Sequence, residues 1–63
     1  MQDKIYVVSF QFSESTYCSN VVFAKSKEEV EKEYSRYSWY DVREGDEHDV
    51  REAQKKGKPI IRL

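Results

Sequence analysis

The sequence predicts an α+β domain: a three- or four-stranded, mainly antiparallel sheet with two helices on one face, in the order β-β-α-β-α-β. Three observations carry this. An alternating apolar segment opens the chain, a helix-start signature stands at Ser26 to Glu29, and Gly45-Asp46 interrupts a third extended stretch and opens a second helical one.

Ile5 to Phe12 reads as the first strand. Its even positions, Tyr6, Val8, Phe10 and Phe12, are apolar, while Ile5, Val7, Ser9 and Gln11 turn polar along the chain. Ser13 to Thr16 has hairpin-loop length, and Tyr17 to Lys25 follows as an antiparallel partner whose buried end is Val21 to Ala24. Ser26 and Glu29 form a capping box: the hydroxyl accepts from the Glu29 N–H and the carboxylate reaches back to the Ser26 N–H. The helix it starts runs from Lys27 to about Tyr37, with Val30, Tyr34 and Tyr37 on one stripe. Trp39 to Glu44 reads as a third strand. Asp46 caps a second helix over Glu47 to Lys56, which Gly57 ends. That helix offers only Val50 and Ala53 as apolar anchors. Ile60 to Leu63 is a final short strand.

The chain has 63 residues and reads as a single domain over 1–63. A domain this short buries only about 60% of the surface its unfolded chain exposes, so it relies on good packing or on a partner. Cys18 is the one cysteine and His48 the one histidine, which excludes an internal disulfide and a Cys/His zinc site. Hydrophobic residues make up 38% and charged residues 37%, and the nine aromatics argue for an ordered core. An unpaired thiol, no export signal and no apolar run of membrane-spanning length predict a cytoplasmic protein.

Catalytic templates are nearly empty. Gly45 and Gly57 lie in different segments, so no glycine loop cradles a phosphate. Nothing in the spacing brings Cys18 to His48 as nucleophile and base. The acids Asp41, Glu44, Asp46, Glu47 and Asp49 lack the spacing of a calcium loop and read as a solvated turn and helix start. The expectation is therefore a non-enzyme with no cofactor and no metal. Charge is segregated, with acids over 41–49 and bases (Arg51, Lys55, Lys56, Lys58, Arg62) toward the end. The helix dipole explains this, and so does an edge that orients a charged partner.

Adjacent residues of an extended segment point to opposite faces, so one of Trp39 and Tyr40 is expected outside the core. An exposed aromatic beside Arg36 or Arg43 has the composition of an interface hot spot. Arg36, Trp39, Tyr40 and Arg43 are accordingly the candidate interaction surface.

The stretch Val21-Val22-Phe23-Ala24-Lys25-Ser26-Lys27-Glu28-Glu29-Val30 is a strand ending in A-x-S followed by an E-E helix start. Over residues 4–37 it resembles the small hairpin-plus-helix proteins of Firmicutes and their plasmids, conjugative elements and phages, the DpnD/PcfM-like group. The resemblance implies a bacterial accessory protein and supplies no site residues.

The expected function is a small non-catalytic protein–protein interaction or regulatory module, with another protein or a second copy of the chain as partner. One alternative is nucleic-acid binding through the basic C-terminal segment and the aromatics, against which the net charge of −1 counts. The other is an inhibitor carried by a mobile element, its acidic run mimicking nucleic acid.

Overall fold

The structure, a computed structural model, describes residues 3–63; the first two positions of the domain expected over 1–63 lie outside the described residues. Four strands and two helices follow the expected order: β1 (Lys4–Ser13), β2 (Thr16–Ala24), α1 (Lys27–Tyr34), β3 (Tyr40–Glu44), α2 (Glu47–Lys55) and β4 (Ile60–Arg62). They build an open α+β sheet with spatial order β3-β1-β2-β4. β1 pairs antiparallel with both β2 and β3, and β4 joins β2 in parallel, so the sheet is mixed.

The alternation in β1 sorts side chains onto two faces. Register places Tyr6 opposite Val22 and Glu44, and Val8 opposite Asn20 and Val42, on one side. α1 covers this side: Val30 and Tyr34 are buried in one cluster with Tyr6, Val8, Phe10, Val22, Ala24 and Val42. The other face carries Ile5, Val7, Val21, Phe23 and Ile60, with Val21 opposite Val7 and paired in parallel to Ile60. α2 lies there. Its Ala53 is buried outside the α1 cluster, and it borders clefts with Val7 and Val21 and with Ile5 and Phe23.

The helices therefore occupy opposite faces, which corrects the expectation of two helices on one face. Chain direction explains the difference. β2, β3 and β4 all run parallel, with β1 alone reversed. The connection through α1 crosses the sheet from β2 to the β3 edge, and the connection through α2 crosses back to β4. Crossovers between parallel strands share one hand, so two that travel in opposite directions must use opposite faces.

The caps also differ in detail. The Ser26 hydroxyl accepts from the Glu29 N–H at 3.3 Å, but the Glu29 carboxylate accepts from Lys25 N–H at 3.2 Å rather than from Ser26. α1 stops at Tyr34, three residues before the expected end, with Ser35 as its C-cap and the Ser35 hydroxyl donating to the Lys32 carbonyl at 2.9 Å. Tyr37 still reaches the core, its ring 4.6 Å from Phe10 and 5.7 Å from Tyr34. α2 begins with a full reciprocal cap. Asp46 Oδ1 accepts from the N–H groups of His48 and Asp49, and Asp49 Oδ2 accepts from Asp46 N–H at 3.0 Å. It ends at Gly57, whose φ of 69° lets Gly57 N–H bond Gln54 O and Lys58 N–H bond Ala53 O.

Candidate functional site

β1 and β2 outrun everything packed against them. A ten-residue strand spans about 33 Å, whereas an eight-residue helix is about 12 Å long, so neither helix can cover the whole hairpin. The flanking strands are short as well. β3 meets β1 only over Tyr6–Phe10, and β4 meets β2 only over Val21–Phe23. The distal hairpin, residues 12–17, is exposed throughout.

Large aromatics gather at this uncovered end. Phe12 is 67% exposed, Tyr17 65% and Trp39 46%, values that belong to surface rather than core side chains. Trp39 is held by its carbonyl, which accepts from Gln11 N–H at 3.0 Å, and its ring meets Tyr17 edge-on at 5.9 Å. Phe12, Tyr17 and Trp39 line an open cleft of about 690 Å³ together with Cys18, Asn20 and Pro59. Lys58 borders it, its Nζ donating to Ser19 Oγ at 3.0 Å.

The backbone beside the cleft is free. Phe23 O accepts from Leu63 N–H at 2.9 Å, so Phe23 points its backbone groups toward β4, and by alternation Val21, Ser19 and Tyr17 point the same way. Pairing with β4 starts at Val21. Among the described residues no backbone partner reaches Ser19 or Tyr17 from that side.

The four residues singled out from the sequence do not form one surface. Trp39 lies at the cleft. Tyr40 is half-buried against the α1 core, as expected for one member of that adjacent pair. Arg36 follows α1, its guanidinium carbon 5.4 Å from the Tyr37 ring centroid. Arg43 sits on the α2 face and contacts Asp49 at 3.5 Å. Phe12 and Tyr17 are the members that sequence reasoning missed. The signal available was length: an alternating strand longer than the helix meant to cover it must leave its end bare.

Elsewhere the chemistry is sparse. Cys18 is an unpaired, half-buried thiol at the cleft, while His48 stands on exposed α2 with its imidazole 3.9 Å from Glu52. Among the described residues no three of His, Cys, Asp and Glu converge as a metal-binding group. No helix among them is long and apolar enough to cross a membrane. Two titrations are displaced. Burial raises the Tyr34 hydroxyl above its ordinary value, opposed by the Asn20 amide that donates to it at 3.0 Å. The Asp46 backbone N–H, and then Arg43, lower the Asp49 carboxyl. Both groups serve the fold.

Comparison with protein-family models, with curated proteins and with solved structures finds no match for this chain.

Proposed function

We propose that this protein is a non-catalytic protein-binding module, and that its partner lays an extended, apolar segment along the distal end of the β1–β2 hairpin. The observation that supports this reading is the convergence of Phe12, Tyr17 and Trp39 on one cleft beside an unpaired strand edge. Aromatic rings bring large contact area at low conformational cost and dominate interface energetics. The free N–H and C=O groups of Ser19 and Tyr17 supply main-chain pairing to an added strand, and the rings supply selectivity for its side chains. The lone thiol of Cys18 fits a reducing cytoplasm.

The test is site-specific photocrosslinking in the producing cell. A photoreactive aromatic placed at Phe12 or Tyr17 is expected to capture a discrete protein, and Trp39→Ala to abolish the capture while circular dichroism stays native. The same probe at the exposed Gln54 of α2 is the control. Equal capture from Gln54, or capture indifferent to Trp39→Ala, overturns the reading. So does recovery of nucleic acid bound with a steep salt dependence.

A further inference from the structure

The opposite edge of the sheet carries a separate message. Gln11 N–H bonds Trp39 O and Gly45 N–H bonds Ile5 O, so odd-numbered residues of β3 turn their backbone groups toward β1. Tyr40, Val42 and Glu44 therefore turn theirs outward, and β3 is the last strand on that side. It is short and carries Asp41, Arg43 and Glu44, but it has no proline, no lysine and no bulge in its pairing with β1, and its charges are of both signs.

We infer that two copies of this chain pair through their β3 edges, antiparallel, about a two-fold axis at Val42. Charge complementarity selects the occupant and the register. A two-fold perpendicular to the sheet keeps like faces together, so only even offsets are available. Centring on Asp41 sets that carboxylate against its own copy, and centring on Arg43 sets guanidinium against guanidinium. Centring on Val42 places Asp41 opposite the partner's Arg43, and Arg43 opposite the partner's Asp41.

The backbone agrees with this register. Val42 with the partner's Val42, and Tyr40 with the partner's Glu44, become the hydrogen-bonded pairs. Asp41 and the partner's Arg43 then occupy a non-hydrogen-bonded pair, where opposed side chains approach most closely. Both charged side chains are exposed. Arg43 donates from one terminal nitrogen to Asp49 at 3.5 Å and from the other to the Glu44 carbonyl at 3.4 Å; the guanidinium keeps further N–H donors for the partner's Asp41, and the carbonyl keeps a second lone pair for the partner's Tyr40 N–H. The result is one continuous sheet through both copies, an isologous contact that closes on itself instead of propagating. The proposal rests on β3 and stands apart from the aromatic cleft.

Sedimentation analysis of the full chain across concentration tests it. The native protein is expected to dimerise reversibly. Asp41→Arg places two arginine pairs face to face, and the dimer dissociation constant should rise by roughly tenfold or more. Arg43→Asp should act alike, an equimolar mixture of the two variants should form heterodimers, and the double variant D41R/R43D should regain self-association. Native circular dichroism of each variant keeps loss of folding separate from loss of pairing, and Asp41→Arg alone decides the matter if Arg43→Asp unfolds. A native protein that stays monomeric, or a dimer untouched by Asp41→Arg, overturns the inference.

Discussion

Gly45 joins β3 to α2 at a point where the chain has no room for a side chain. A Cβ there would lie 2.9 Å from Asp49 Oδ2, 2.9 Å from Val7 Cγ2 and 3.3 Å from Ile5 Cγ2. The backbone cannot retreat freely, because Gly45 N–H is bonded to Ile5 O at 2.9 Å. Val7 is β-branched and stiff about χ1, so its methyl yields little. Moving the Asp49 carboxylate instead would weaken its 3.0 Å bond to Asp46 N–H and open the cap of α2. Overpacking of this kind costs about 1–3 kcal/mol, against a total stability of about 3–9 kcal/mol for a chain this size. Gly45→Ala should therefore lower the urea midpoint markedly, followed by far-ultraviolet circular dichroism and by the single tryptophan. Gly57→Ala provides the contrast. Nothing lies within 4 Å of a Cβ at Gly57, and its cost of about 1–2 kcal/mol comes from a left-handed backbone. Val7→Ala should recover part of the loss in the Gly45→Ala background, with a coupling of about 0.5 kcal/mol or more, and none in the Gly57→Ala background. A Gly45→Ala protein as stable as the native one, or strict additivity with Val7→Ala, refutes the steric argument.

Two further outcomes follow from the displaced titrations. Tyr34→Phe leaves the Asn20 amide without its partner and should cost about 1 kcal/mol by denaturant titration. Because the folded Tyr34 hydroxyl titrates above its unfolded value of about 10, its contribution is complete below that pH and is lost as pH rises through the folded value. Alkaline melts of Tyr34→Phe should accordingly fall less steeply than those of the native protein. Asp49 has the opposite sign. Its folded carboxyl titrates below the ordinary value of about 4, so its contribution is present above that pH and fades as pH falls through the folded value. Asp49→Asn should flatten the acid limb of the stability profile; an unchanged limb would place the cap's sensitivity elsewhere.

Much of the fold was legible because local rules and global packing agree here. Tyr6, Val8 and Phe10 alternate, Ser26 caps and Gly57 terminates, and each does so in the structure. The side of the sheet chosen by α2 was not legible from its residues, since Val50 and Ala53 fit either face equally. Chain direction decides it, and direction emerges only once β3 is known to pair with β1 and β4 with β2. The candidate surface was half legible for a similar reason. That one of Trp39 and Tyr40 stands outside the core could be read from their adjacency; that it is Trp39 could not. Its neighbour Tyr17 is distant in sequence and meets it across β1. Arg43 and Arg36 look like companions of Trp39 along the chain, yet Arg43 lies a further four residues along the strand beside Asp49, and the end of α1 sends Arg36 onto Tyr37.

The hairpin that extends past both helices separates two kinds of selection on a very small chain. The proximal segment, from Ile5 to Phe10 and from Val21 to Ala24, carries the packing and tolerates little change. The distal loop Ser13 to Thr16 and the rings around it contribute almost nothing to the buried interior. Substitutions there alter the exposed cleft while leaving the buried cluster as it is, so the surface and the core of this chain can change independently.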